Sequence, residues 1–223
     1  MSRKRTPARE AARRRPGSIY HGSIWLDHAE LIEEDLEWLS DTERLTLWNV
    51  KVPVGLLARI EKLWWLDIRG GSATDLAAAE GAGKLQYLAV NQVRGMTDLS
   101  LVAEMPALRY IDLYGLPKVT ELPPCAALVN LEHANLGQMR GLVSLHGLLQ
   151  APNLRELKLS RKINVSETDV NGIIGHPAIE AFSWFAEDVP SKVWVPVVEK
   201  IGLPEVPVMF PETWFRLPGF TID

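Results

Sequence analysis

The chain has 223 residues, a formal charge of −4 and 47% apolar residues, enough to bury a continuous core, and it holds no run approaching the ~18 apolar residues of a membrane span. One cysteine, Cys125, excludes a disulfide within the chain. No G-x-S-x-G, H-E-x-x-H or paired-carboxylate signature appears, and no His or Cys pair stands at metal-ligand spacing, so neither catalysis, a metal nor a cofactor is expected.

In chain order, the first segment is basic. Arg3, Lys4, Arg5, Arg9, Arg13, Arg14 and Arg15 stand against Glu10, a net of about +6 that leaves about −10 on the remainder. No apolar stretch follows to support secretion, and residues 1–18 are expected to be a disordered, solubilising tail. An arm for nucleic acid or an acidic membrane surface is the alternative, although no aromatic residue interleaves the arginines as nucleic acid stacking would need. Residues 19–41 read as a helical cap, because Leu31, Ile32, Asp35, Leu36 and Leu39 fall at helical spacing. A degenerate first strand, Arg44 to Trp48, follows.

From residue 42 to 187 the chain repeats itself every 20 to 26 positions. Starting from Leu63, Leu85, Leu108, Leu128, Leu154 and Ile179, the residue three further on is Leu66, Leu88, Ile111, Leu131, Leu157 or Phe182, always apolar. Two further come Ile68, Val90, Leu113, His133, Leu159 and Trp184, with His133 the one polar member. A spacing of two is the strand period, so each repeat supplies a short strand. Upstream apolar columns spaced by three suit a helical or 3₁₀ turn, opened by Thr74-Asp75-Leu76, Thr97-Asp98-Leu99 and Thr168-Asp169-Val170. Pro106, Pro152 and Pro177, two positions before a strand's first apolar residue, mark the return.

This pattern, clearest in "DLSLVAEMPALRYIDL" (98–113), resembles the leucine-rich repeat family, particularly its bacterial short-repeat and phosphatase-regulator-like members. The resemblance covers about two thirds of the chain. It implies an α/β solenoid of about six to seven repeats, with parallel strands on the concave face, short helices or 3₁₀ turns on the convex face, and a cap at each end. One departure stands out. The family's consensus asparagine is replaced by Gly71, Val93, Leu116, Leu136, Lys162 and Glu187, so that column must be held by apolar packing or water. Residues 188–223 lose the repeat and are rich in proline; their Trp194, Phe210, Trp214 and Phe215 are expected to cover the last strand. Extracellular members commonly close their ends with cystine caps, which one cysteine cannot build, so the resemblance implies a cytoplasmic protein.

Function is expected on the concave face. The outward columns run Arg44, Trp65, Tyr87, Tyr110, Asn130, Glu156, Ala181; then Thr46, Asp67, Ala89, Asp112, Glu132, Lys158, Ser183; then Trp48, Arg69, Asn91, Tyr114, Ala134, Ser160, Phe185. Trp65, Tyr87 and Tyr110 should form an aromatic stripe beside a broken acidic row of Asp67, Asp112 and Glu132. Such a face suits a non-catalytic module that grips a protein, the acids favouring a basic partner. Trp48, Trp65, Asp67, Arg69, Tyr87, Asn91, Tyr110, Asp112, Tyr114 and Glu132 are the candidate contacts. The same rings could instead stack only to stabilise the sheet. His133 reads as a core histidine rather than a base, and Cys125 as a small buried hydrophobe. "EGAGKLQ" (80–86) fails as a phosphate loop, since Ala78 replaces its first glycine and Leu85 follows Lys84.

Overall fold

The structure, a computed structural model, describes residues 6–14 and 22–217. Arg3, Lys4, Arg5, Arg15, His21 and Pro218 therefore lie outside the described residues. At the front are β1 (Thr6–Pro7), a single turn α1 (Ala8–Ala11), β2 (Arg13–Arg14), β3 (Ser23–Asp27), β4 (Ala29–Glu30) and the turn α2 (Leu36–Leu39). The repeats then supply β5 (Arg44–Trp48), β6 (Trp65–Arg69), β7 (Tyr87–Asn91), β8 (Tyr110–Tyr114), β9 (His133–Gly137), β10 (Glu156–Ser160) and β11 (Ala181–Phe185). β3 and β5 to β11 form one parallel sheet in chain order, with β2 antiparallel at its front edge.

Within each five-residue strand the second and fourth side chains point inward. Leu45, Leu66, Leu88, Ile111, Ala134, Leu157 and Phe182 stack on one another, as do Leu47, Val90, Leu113, Leu136, Leu159 and Trp184, and all are buried. The convex return is made of 3₁₀ turns at Leu56–Arg59, Ala77–Ala79, Ser100–Glu104 and Leu148–Gln150, and by one helix, α3 (Glu167–Ile174). The expected caps are carried by aspartates: Asp75 accepts from the Ala77 N–H at 3.0 Å and Asp98 from the Ser100 N–H at 2.7 Å. Asp169 is buried in the first turn of α3. Burial alone would raise its pKa, but donation by Ser166, Ser144 and the Leu145 N–H holds it below the ordinary range. The column that lacks asparagine is filled in mid-solenoid by Val93, Leu116 and Met139, all fully buried.

Strand exit follows one device. The residue after each of β3 and β5 to β10 (His28, Asn49, Gly70, Gln92, Gly115, Gln138, Arg161) has positive φ, between 50° and 68°. Its N–H donates to the carbonyl that ends the next strand, as from Gln92 to Tyr114 at 2.7 Å and from Arg161 to Phe185 at 2.8 Å. This second ladder holds neighbouring repeats together just outside the sheet. Only two of the seven positions are glycine, so five side chains are held in a conformation that L-residues disfavour by about 1 kcal/mol each.

Two expectations need correction. The fifth repeat begins at Leu131, not Leu128: His133 pairs with Tyr110 and Glu156, so Ala134 and Leu136 are the inward residues. Leu128 and Leu131 are both apolar and both suit a repeat start, which is why the sequence permits the slip. Its trace was the lone polar residue it placed in the core. The front of the chain is also more sheet than helix. Residues 23–27 form β3, helical turns are confined to 33–39, and residues 6–14 form β1, α1 and β2 where a disordered tail was expected, with Ala8 buried against the core. Cys125 is buried, in keeping with its reading as a small hydrophobe, and burial pushes its thiol up to about 11.

At the back, α4 (Ser191–Ile201) packs on β11 and α3 and ends at Gly202, whose φ of 65° permits a left-handed exit. The following segment runs along the edge of β11, where the Phe182 N–H donates to the Pro204 carbonyl and the Val206 N–H to the Ser183 hydroxyl. It then turns onto the concave face and closes with α5 (Pro211–Trp214).

Candidate functional site

The corrected register brings Arg44, Trp65, Tyr87, Tyr110, His133 and Glu156 into one column across six adjacent strands. It is a continuous stack. The Arg44 guanidinium lies 3.8 Å from the Trp65 ring centroid, Trp65 lies parallel to Tyr87 at 3.6 Å, Tyr87 meets Tyr110 at 5.3 Å, and Tyr110 lies on His133 at 4.0 Å. His133 Nδ1 is 2.6 Å from Glu156 Oε2.

This column is not open to solvent. Trp65, Tyr87 and Tyr110 are only 5%, 4% and 4% exposed, because the C-terminal segment lies over them. Phe215 packs on Trp64, Trp65 and Tyr87 with centroids 5.3 to 6.2 Å away, and Trp214 stands edge-on to Tyr110 at 5.3 Å. Polar bonds fix both ends of the cover. Glu212 accepts from Arg44 at 3.2 Å, and the Trp214 indole N–H donates to Glu156 at 3.2 Å. Trp214 and Phe215 thus cover the middle of the sheet, far from the last strand where the sequence had been expected to place them.

Electrostatics follow from that burial. It raises the hydroxyl pKa of Tyr87 and Tyr110 far out of reach, so both stay neutral donors. Burial also holds His133 below the ordinary histidine range, against the opposing pull of Glu156. The neutral ring donates through Nδ1 to Glu156, whose own pKa this bond lowers. Protonation would place a second N–H at Nε2, a buried atom with no partner among the described residues.

The second column holds Thr46, Asp67, Ala89, Asp112, Asn135, Lys158 and Ser183. Asp67 is buried and takes a bidentate bond from Arg69 at 2.7 to 3.0 Å. Asp112 is pushed up to about 6, chiefly by burial; the Asn135 amide donates to it at 3.2 Å and offsets part of the rise. Beside the lid these groups border a cavity of about 250 Å³ lined by Trp25, Arg44, Asp67, Arg69, Asp112 and Pro211, among others.

The third column stays open. Trp48 and Phe185, at its two ends, are exposed, while Arg69, Asn91 and Tyr114 between them are half-buried. Trp25 stacks on Trp48 at 6.0 Å and takes the Arg69 guanidinium over its face at 5.3 Å. Of the residues expected as contacts, Trp48, Arg69, Asn91, Asp112 and Tyr114 thus keep some solvent exposure, while Trp65, Asp67, Tyr87 and Tyr110 are covered. Glu132 is off the face altogether; the register slip had placed it there, and it pairs with Arg109 just before β9. Asn130 and Ala134 leave the concave columns for the same reason, Asn130 donating instead to the Pro106 carbonyl of the preceding repeat. Sequence reasoning missed His133 and the cover of Glu212, Trp214 and Phe215. Three aromatic residues within six positions, 210 to 215, were the available signal for the latter.

A parallel sheet on the concave side, 3₁₀ turns on the convex side and a step of 21 to 25 residues between strands define a leucine-rich repeat solenoid. Among solved structures it is similar to internalin C2 of Listeria monocytogenes, with a TM-score of 0.58 at 18% identity over 76% of this chain and 75% of that one. A second internalin (inlF) of that organism aligns over 83% of this chain and 67% of its own, at 16% identity and a TM-score of 0.41. No family model and no curated protein matches the sequence. Among the described residues no helix is long and apolar enough to cross a membrane, and no group of three or more His, Cys, Asp and Glu could hold a metal ion.

Proposed function

We propose that the chain is a non-catalytic protein-binding module that docks its partner along the open third column of the concave face, in the cytoplasm. The observation that carries this is the third column, Trp48, Arg69, Asn91 and Tyr114, continued past Gly137 and Ser160 to Phe185, with large rings exposed at both ends. Aromatic and arginine side chains on a rigid sheet supply contact area at low entropic cost. Trp65, Asp67, Tyr87, Tyr110 and Asp112 support that face from beneath or beside it. The buried free thiol of Cys125 is compatible with a reducing compartment.

The test is site-specific photo-crosslinking in cells of the protein's source. A benzophenone side chain at Trp48 or Tyr114 should trap the same partner, and one at Val143, exposed away from the concave columns, should trap none. Equal trapping from all three positions, or trapping from Val143 alone, would overturn the reading. The basic-tail alternative gains no support from the described residues, where Thr6–Pro7 and Arg13–Arg14 are engaged in strand pairing.

A further inference from the structure

The first column of the concave face is covered by the chain's own C-terminal segment. After Gly202 the chain is free of helix and strand until α5, and it is punctuated by Pro204 and Pro207, which favour an extended tether, while Pro211 opens α5. Val208 and Phe210 on that tether are 92% and 78% exposed. Among the described residues, main-chain bonds of 210–217 run from Thr213 and Trp214 to Phe210 and from Phe215 to Pro211. The segment meets the sheet by side chains, in a fixed order. An acid, Glu212, reaches Arg44; two and three residues on, an indole reaches Glu156 and a phenyl ring fills the space over Trp65 and Tyr87.

We propose that this groove is a recognition site for a partner segment of the form acid-x-Trp-Phe, and that residues 210–217 are its resident occupant, displaced when such a segment binds. This rests on the reading of the concave face as a protein-docking surface and supplies the partner's chemistry. The groove selects an acidic motif because Arg44 is buried at one end, and aromatic residues because the middle of the column is a stack of rings that would otherwise face water. Displacement needs only side-chain exchange at this surface, since no strand of the repeat sheet is contributed by the segment.

The experiment uses the full chain carrying Trp214→Ala and Phe215→Ala, and a fluorescein-labelled synthetic peptide of residues 207–217 followed by anisotropy. The peptide should bind this variant saturably and bind the unaltered chain at least about tenfold more weakly, because a tethered occupant competes at an effective concentration in the millimolar range. Peptides with Glu212→Ala, or with alanine at both aromatic positions, should lose most of the binding. A folded variant, shown by its circular dichroism, that fails to bind the peptide or binds all peptides alike would overturn the proposal. Should the double variant fail to fold, hydrogen exchange on the unaltered chain decides. Amides of 213–217 should exchange through an opening that leaves β6 to β8 protected, and exchange only together with those strands would sink the idea. Crosslinks retained at Trp48 and Tyr114 beside a failed peptide experiment would remove this inference alone and leave the open column as the docking surface.

Discussion

Inside the solenoid, Leu66, Leu88, Ile111 and Leu157 are buried by their counterparts in the repeats on either side; Trp65, Tyr87 and Tyr110, one residue away on the same strands, are buried by Trp214 and Phe215 from the far end of the chain. The first cluster is local, each repeat needing only its neighbours. The second closes a loop of more than a hundred residues and leans on a proline-rich tether, so it is expected to open while the first remains intact. This solenoid therefore carries two apolar clusters, one closed by neighbouring repeats and one closed by distant chain, and the second lies on the concave face.

The largest effect that would sharpen this contrast is Leu88→Ala, expected to lower global stability by about 2–5 kcal/mol in a denaturant titration, because the cavity lies within the stacked core. Trp214→Ala with Phe215→Ala should reduce the same global stability by no more than about 2 kcal/mol while abolishing near-ultraviolet dichroism from the covered rings. A loss as large as that of Leu88→Ala would show that the two clusters unfold as one.

Asp112 tests the polar side of the covered face. Its folded pKa of about 6 lies above its ordinary value, so the ionised form is disfavoured by folding; the penalty is full above pH 6, shrinks as pH falls toward 3.8 and vanishes below it. Asp112→Asn should therefore add about 1–2 kcal/mol at pH 7.5, after allowing for its partial exposure, and nothing at pH 3.5. His133 acts in the opposite sense. Its depressed pKa makes folding resist protonation, so stability falls as pH drops below about 6.5, and the Asp112→Asn protein should show that decline undisguised in thermal melts between pH 7 and 5. The smallest effect concerns the exit ladder. Gln92→Gly relieves a φ of 54° and should raise stability by up to about 1 kcal/mol, less the entropy glycine adds to the unfolded chain; a clear loss would show that the Gln92 side chain itself holds the turn.

How far the sequence could be read depended on whether a residue's environment was set by its neighbours or by distant chain. Leu85 to Val90 and Leu108 to Leu113 announce a strand because apolar spacing and capping agree, and the structure has strands there. At Leu128 to Leu136 two phases offer an apolar start, the Leu128 phase carrying His133 as its one polar member, and pairing with β8 and β10 selects the other. Within the expected 19–41 cap the helical spacing of Leu31 to Leu39 does give helical turns at 33–39, whereas residues 23–27 form β3 because the edge of the sheet needs a further strand, a tertiary demand that local preference does not announce. The candidate contacts were identified as an outward column, correctly for Trp65, Tyr87 and Tyr110, but outward is not the same as exposed.

By itself the sequence determined the repeat, the parallel solenoid and the inward faces of its strands, because apolar periodicity acts over a few residues and recurs often enough to average out single errors. Only the tertiary structure decided what covers the concave face. Whether Trp214 folds onto β11 or travels on to Tyr110 depends on the reach and direction of the chain after Gly202, and on Arg44 and Glu156 standing at the spacing that Glu212 and Trp214 require. Those are distances across six strands, and no periodicity in the chain encodes them.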